Sequence, residues 1–437
     1  MGFYYAVGMT SRFHPPAGRR FIPSLLYEAL KSLIGDHAAL GVSVVEESTD
    51  NPRFIRLPRI DLREVVSFVQ LPENADYEHE FTKLTADRLS SPFDGLGRLP
   101  LWRLDILTPG RAGEDSTEAN YVDIALFIHH GIVDGGAAAI FQQCLLSALQ
   151  SANPPDDVHP VIEVPELPMV PSIHSLLRLP TSPLAVAKAL WRSWFPRNTK
   201  GLWTGAPVSA TAPILTHFQY FALPPPFVTA LSNACKAKQT TVTALLEAAV
   251  ARAMFAHLPT DGTADKLTLS CPINLRRFIA DIGDRTLGVF VASDTHTFTR
   301  TETDTWSTAQ RIKRALATKL AAGERNLDTG MLKYVRHIRA YLLDKAGAPR
   351  DTSLELSNVG IIDGNADADD AVRWRMSRVL FSQSASVTGA AVQFSVATVR
   401  GGEMCVAVNW QDGVVDAALP PAVMAELKRT LEELASA

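Results

Sequence analysis

The residues best placed to do chemistry are His129 and His130, in the run Ala125–Gly136, ALFIHHGIVDGG. An apolar stretch leads into the two histidines. Asp134 follows, and then two glycines open a helical pattern. Imidazole titrates near neutrality, so a histidine fixed at a strand end can take a proton from a hydroxyl or amine at physiological pH. Gly131, Gly135 and Gly136 permit a sharp turn and a close approach of backbone to ligand. Neighbours on a strand face opposite ways, so one histidine can face a cleft while the other packs. The same divergence argues against a metal site, and none is expected: no third ligand is near in sequence. A nucleophile is not indicated. There is no GxSxG. The cysteines, Cys144, Cys235, Cys271 and Cys405, lie far apart with no CxxC pair. They read as buried thiols in a reducing compartment.

Two layers of mixed α and β structure are needed to hold this loop. Residues 3–9 read as a strand, and Ser24–Ile34 repeats apolar residues at helical spacing before Gly35. Short strands are expected at 41–46, 53–56 and 65–71, and a helix at 80–89. Apolar strands follow at 101–107 and 122–128, separated by a polar loop over 109–120, and a helix at 136–149. Residues 151–180 are proline-rich and aperiodic, and a helix is expected at 184–195. The segment 196–213 (PRNTKGLWTGAPVSATAP) divides an N-terminal lobe, 1–195, from a C-terminal lobe, 214–437. The second half predicts strands at 214–222, 267–273, 288–293, 354–359, 375–382, 391–399 and 404–410. Its helices are expected after Pro224–Pro226 and at 241–258, 305–321, 331–345 and 421–435. Runs of strands and helices without βαβ alternation indicate an α+β fold.

Composition bounds the function. The chain has 437 residues, enough for two domains, with 46% hydrophobic and 20% charged residues and a net charge of -4. No strongly basic run suggests nucleic acid. No stretch reaches the ~18 apolar residues of a membrane span, and the start, MGFYYAVGMTSRFHPP, does not read as a signal peptide. A cytoplasmic monomer is expected, with weak membrane association left open.

The HHxxxDG pattern resembles the signature of the coenzyme A-dependent acyltransferase superfamily. That group includes chloramphenicol acetyltransferase, carnitine acyltransferases, plant BAHD enzymes and the condensation domains of nonribosomal peptide synthetases. Other segments resemble the superfamily in order: EALKSLIGDHAAL at 28–40, PLWRL at 100–104, the helix at 241–258, PINLR at 272–276, LGVFV at 287–291 and LSNVG at 356–360. The plant DFGWG motif is absent, and the chain looks most similar to fungal-type alcohol acetyltransferases of secondary metabolism.

The resemblance implies two chloramphenicol acetyltransferase-like lobes with the active site in a tunnel at their interface. It implies acyl transfer, of acetyl first, from an acyl-CoA co-substrate to a small-molecule alcohol, with no permanently bound cofactor. His130 corresponds to the general base, with no covalent acyl-enzyme, and His129 to an orienting residue. Asp134 is structural and pairs with an arginine of the second lobe, Arg276, with the adjacent Arg277 as the alternative. Gly135 serves the loop. Oxyanion or substrate contacts are sought among Ser357 and Asn358 and in the polar run Ser382, Gln383, Ser384, Ser386 and Thr388. Lys313, Arg314 and Lys319 could meet coenzyme phosphates, but they read first as a solvated helix face. Two alternatives stand beside this reading. One is a condensation-type enzyme with a carrier-protein donor or an amine acceptor. The other is a binding relative without activity.

Overall fold

The computed structural model describes residues 4–70, 76–108, 121–153, 159–194, 199–209, 214–280, 282–365 and 372–436. The polar loop expected at 109–120 lies outside these residues, as do both ends of the expected linker, 196–198 and 210–213. The first half runs β1 (Ala6–His14), α1 (Pro23–Asp36), β2 (Val42–Val45), β3 (Arg53–Arg56), β4 (Arg59–Asp61), β5 (Val66–Gln70), α2 (Tyr77–Ser90), β6 (Trp102–Thr108), β7 (Val122–His129), α3 (Gly135–Ser151), β8 (Val161–Glu163), α4 (Ile173–Leu176) and α5 (Pro183–Trp194). The second half adds β9 (Thr216–Leu223), α6 (Pro225–Ala237), α7 (Val242–His257), β10 (Lys266–Asn274), β11 (Val291–Thr299), α8 (Thr305–Ala321), α9 (Ile338–Leu343), β12 (Leu354–Ile362), β13 (Arg375–Gln383), β14 (Val392–Val399), β15 (Met404–Gln411) and α10 (Leu419–Ser436).

Two sheets form the two lobes. One has the order β13-β1-β7-β6-β5, the other β11-β10-β12-β14-β15-β9. Helices α1 and α3 cover the first sheet with Leu26, Leu30, Phe141 and Leu145, all buried. Helix α7 lies against the second sheet and is apolar almost all round, which suits a helix between a sheet and further helices. Strand β13 comes from the second half of the chain, yet it pairs antiparallel with β1 at the edge of the first sheet. The two lobes therefore share a strand. Among the described residues no helix is long and apolar enough to cross a membrane.

Three elements differ from expectation, the first being the strand expected over residues 3–9, which runs from Ala6 to His14, where all of β1 pairs with β7 and β13. The strand expected over Gly288–Ser293 runs instead from Val291 to Thr299. The backbone of Gly288 and Phe290 is diverted to Asp134 and Arg276, described below. The helix expected over Met331–Lys345 is a 3-10 turn, Asp328–Tyr334, followed by the short α9. Asp328 accepts from the Ser293 N–H, and the Thr329 hydroxyl donates to the Val291 carbonyl. These bonds pin the segment to β11 and break its axis.

A buried ionic cluster lies within the second lobe. Glu247 on α7 accepts from Nδ1 of His296 at 2.7 Å, and Asp294 stands 3.4 Å from Nε2. Burial pushes the imidazole down, but the hydrogen bonds and charges of Asp294 and Glu247 win and raise it to about 9. A raised histidine stabilises fully below its unfolded value near 6.5, and that contribution is lost as pH rises through about 9. The melting temperature should therefore fall between pH 7 and pH 10, and His296→Gln should flatten this fall. An equally steep fall in the variant, by calorimetry, would remove His296 as its source.

Candidate active site

Strand β7 ends at His129, and the chain turns before α3 begins. In that turn Nδ1 of His130 lies 2.8 Å from the Val133 carbonyl oxygen. A carbonyl only accepts, so Nδ1 carries a hydrogen, and in the neutral ring the lone pair is on Nε2. The Tyr4 ring stands 5.0 Å from the imidazole, tilted by 57°. His129 points the other way. Its Nδ1 accepts from the Gly131 N–H at 2.9 Å, and its ring meets Phe93. Burial pushes His129 down to about 4, so it stays neutral and orients the turn. A Cβ on Gly131 would come within 2.9 Å of His129 Nδ1, which is why this turn needs glycine.

Asp134 caps α3 through the Ala137 N–H at 2.7 Å. Its carboxylate also receives Nη1 of Arg276 at 3.0 and 2.9 Å and the Phe290 N–H at 2.8 Å. Arg276 donates its Nη2 to the Gly288 carbonyl, and the Asp134 N–H reaches the same carbonyl. The structure thus brings together Asp134 and Arg276, whereas Arg277 lies over the ring of Phe278. The carboxylate is 1% exposed and spent on fixing geometry, so it cannot also orient His130 as a triad acid would.

The second sheet makes room for this clamp. Strands β10 and β12 pair at Leu269–Leu354 and Ser270–Glu355 only, then part. The N-terminus of α3 sits in the fork. A Cβ on Gly135 would meet Phe381 at 2.8 Å and Val359 at 3.0 Å. Gly135→Ala should therefore push α3 away from β12 and β13. A loss of roughly 1–3 kcal/mol is expected, read as a lower denaturant midpoint together with reduced turnover. An unchanged midpoint would show that the fork is loose.

The oxyanion candidates separate. Leu354 and Leu356 are buried against Phe394 and Val396 in the second lobe. Alternation puts Glu355, Ser357 and Val359 on the opposite face, toward α3. Asn358 stays on the α7 side, where its amide donates to the Thr243 hydroxyl at 3.0 Å. Ser384 accepts from the Ala6 N–H and donates to the Leu89 carbonyl, so both of its functions are structural. Thr388 lies in the β13–β14 turn, which Ser386 closes by accepting from the Gly389 N–H. A Cβ on Gly8 would sit 2.2 Å from Oγ of Ser382, which packs there. Of these positions, the structure brings only Ser357 to the His130 side of β12.

In the polar run it is Gln383 that faces the site. Its Oε1 accepts from the Tyr4 hydroxyl at 2.9 Å, and its Nε2 donates to Ser395 at 3.0 Å and to Glu355 at 3.3 Å. Tyr4 and Glu355 carried no role in the sequence reading. The available signal was one charged residue in an otherwise uncharged strand, LELSNVGII. Burial lifts the Glu355 carboxyl above its usual range, with the hydrogen bond from Gln383, the nearby His130 and a hydrogen bond from Gln393 acting against that.

Next to the fork lies a cavity of about 490 Å³ lined by Gly136, Gln143, Asn274, Arg276, Arg277 and Val359. Of the basic residues on α8, Lys313 donates to the Gln239 carbonyl and Lys319 to the Asn326 carbonyl, while Arg314 is exposed. The four cysteines are buried, and burial pushes Cys235 to about 11 and Cys405 to about 12. Neither is a thiolate at neutral pH.

Solved structures share this architecture. TRI3 trichothecene 15-O-acetyltransferase from Fusarium sporotrichioides matches with a TM-score of 0.73 at 12% identity, over 99% of this chain and 92% of that one. The first condensation domain of the CDA synthetase matches at 0.65 and 15% identity, over 100% and 92%. The fold is the two-lobed, chloramphenicol acetyltransferase-like fold of these structures. A family model described as alcohol acetyltransferase matches residues 24–418, and the chain belongs to that family. The curated protein named "Probable alcohol acetyltransferase crmB", from Aspergillus fumigatus, is 28% identical over 95% of this chain and 92% of its own length. The protein is thus an O-acyltransferase of the alcohol acetyltransferase type.

Proposed function

We propose that the protein transfers an acetyl group from acetyl-CoA to the hydroxyl of a small-molecule alcohol, with Nε2 of His130 as general base. The observation that carries this reading is the bond from Nδ1 of His130 to the Val133 carbonyl, which in the neutral ring puts the hydrogen on Nδ1 and the lone pair on Nε2. Nε2 takes the hydroxyl proton as the oxygen attacks the thioester carbonyl. The tetrahedral intermediate then collapses, the carbon–sulfur bond breaks, and the imidazolium returns the proton to the coenzyme A thiolate. No covalent acyl-enzyme forms. Both substrates must reach His130 together, and holding them there supplies much of the rate. The fork between β10 and β12 is the proposed opening between the lobes, and Arg277 in the adjoining cavity is suited to the anionic end of the coenzyme. Ser357 is the proposed donor to the intermediate's oxyanion.

Thiol release from acetyl-CoA, measured with a panel of alcohols and amines, tests the reading. Release that depends on an alcohol is the expected result. Release with amines alone would overturn the O-acyl assignment. Activity only with a carrier-protein thioester would place the protein with condensation-type enzymes.

A further inference from the structure

The strand pairing places a row of polar side chains across the second sheet, on the face turned toward the first lobe. Ser270 pairs with Glu355, Glu355 with Gln393, and Gln393 with Asn409. Residues in register share a face of the sheet. Gln393 is 1% exposed and Asn409 is fully buried. Gln393 accepts from the Ser386 N–H and the Asn409 amide and hydrogen-bonds the Glu355 carboxylate, while Asn409 Oδ1 has no hydrogen-bond partner among the described residues, an uncommon state for a buried amide. Glu355 closes the row at the root of the fork, where β10 and β12 part and α3 enters. Its carboxylate is held from one side by Gln383, which also holds Tyr4, the ring beside His130. Glu355 itself stays half-buried rather than sealed. The base and this acid therefore lie at the two ends of one chain of contacts, through Tyr4 and Gln383, that crosses between the lobes.

A carboxyl group here is costly for a simple apolar alcohol. An alkyl group against Glu355 and the Gln393 amide would strip them of water and offer nothing in return. An acceptor with a second hydroxyl would satisfy them. We infer that Glu355, backed by Gln383 and Gln393, is an acceptor-selecting residue that receives a hydrogen bond from a second hydroxyl of a polyhydroxylated acceptor while His130 works on the first. The burial that lifts the Glu355 carboxyl agrees with a neutral hydroxyl partner rather than an ammonium group, which would pull it down. This inference rests on the acetyl-transfer reading and names its substrate class.

The experiment compares cyclohexylmethanol with its ring-hydroxylated analogues as acceptors, with acetyl-CoA as donor, in wild type, Glu355→Gln and Glu355→Leu. In the wild type the best-placed diol should exceed the mono-alcohol in kcat/KM on the order of 10- to 100-fold, carried by KM. Glu355→Leu should bring that ratio to within about threefold of one, and Glu355→Gln should retain part of it, because an amide oxygen still accepts. Turnover of both acceptor types without discrimination, or a ratio unchanged in Glu355→Leu, would overturn the inference and leave the acetyl-transfer reading standing. Loss of all turnover in a folded Glu355→Gln, by circular dichroism, would assign Glu355 to the chemistry instead and overturn the selection role. No turnover of any acceptor by the wild type would overturn the acetyl-transfer reading itself, and this inference with it.

Discussion

Replacing His130 with alanine is expected to lower kcat/KM for acetyl transfer by about 100- to 10,000-fold, the range that a positioned general base supplies. The loss should fall on kcat. An alcohol hydroxyl is a poor nucleophile until its proton has somewhere to go, and Nε2 is the only ring nitrogen left to receive it. The fold should survive. Among the described residues the imidazole hydrogen-bonds to Val133, and the turn is held elsewhere, by His129 on Gly131 and by Asp134 on α3. Thiol release and thermal unfolding measured on the same preparation separate the two effects. A folded His130→Ala protein that keeps wild-type turnover would remove His130 as the base.

Asp134→Ala is expected to damage both stability and turnover. Removing this carboxylate leaves the Arg276 guanidinium, only 12% exposed, without its partner, and the Phe290 N–H without an acceptor. It also deletes the cap of α3. Breaking a buried ion pair from one side costs about 3–5 kcal/mol, and the lost cap contributes about 1 kcal/mol of further destabilisation. Turnover should fall because the same carboxylate fixes the peptide that follows Val133, whose carbonyl sets the His130 tautomer. Adding Arg276→Met to Asp134→Ala should restore part of the stability, since the stranded charge is then gone, yet not the turnover. Denaturant midpoints across the four combinations provide the check. Equal midpoints for the single and double variants would show that the clamp is not an ionic one.

The comparison between sequence and structure turns on which interactions are local. The helix over Thr305–Ala321 is legible from its pattern, and the structure adds Asp304 as its cap. The strands at 53–56 and 122–129 announce themselves in the same way. The helix expected at 331–345 does not form as one piece, because Asp328 and Thr329 bond to β11 instead. The strand expected at 288–293 shifts toward its C-terminus because a carboxylate 156 residues earlier takes the Phe290 N–H. Periodicity reports a segment's own preference and carries no information about partners distant in the chain.

The candidate site divides along the same line. His129, His130, Asp134 and the glycines stand in one stretch of twelve residues, where strand end, turn and helix cap are all local events. The sequence by itself therefore determined the motif, its turn and the membership in an acyltransferase class. Tertiary structure alone decided the rest. It selected Arg276 over Arg277, turned Asn358 toward Thr243, and spent Ser384 on the backbone of Ala6 and Leu89. It also moved β13 into the first sheet, which carries Gln383 to Tyr4 and Glu355. The physical reason is that a side chain's role follows from what desolvates it and what it bonds, and for these residues the deciding partners, Asp134 for Arg276, Thr243 for Asn358, Ala6 and Leu89 for Ser384 and Tyr4 for Gln383, lie far away along the chain.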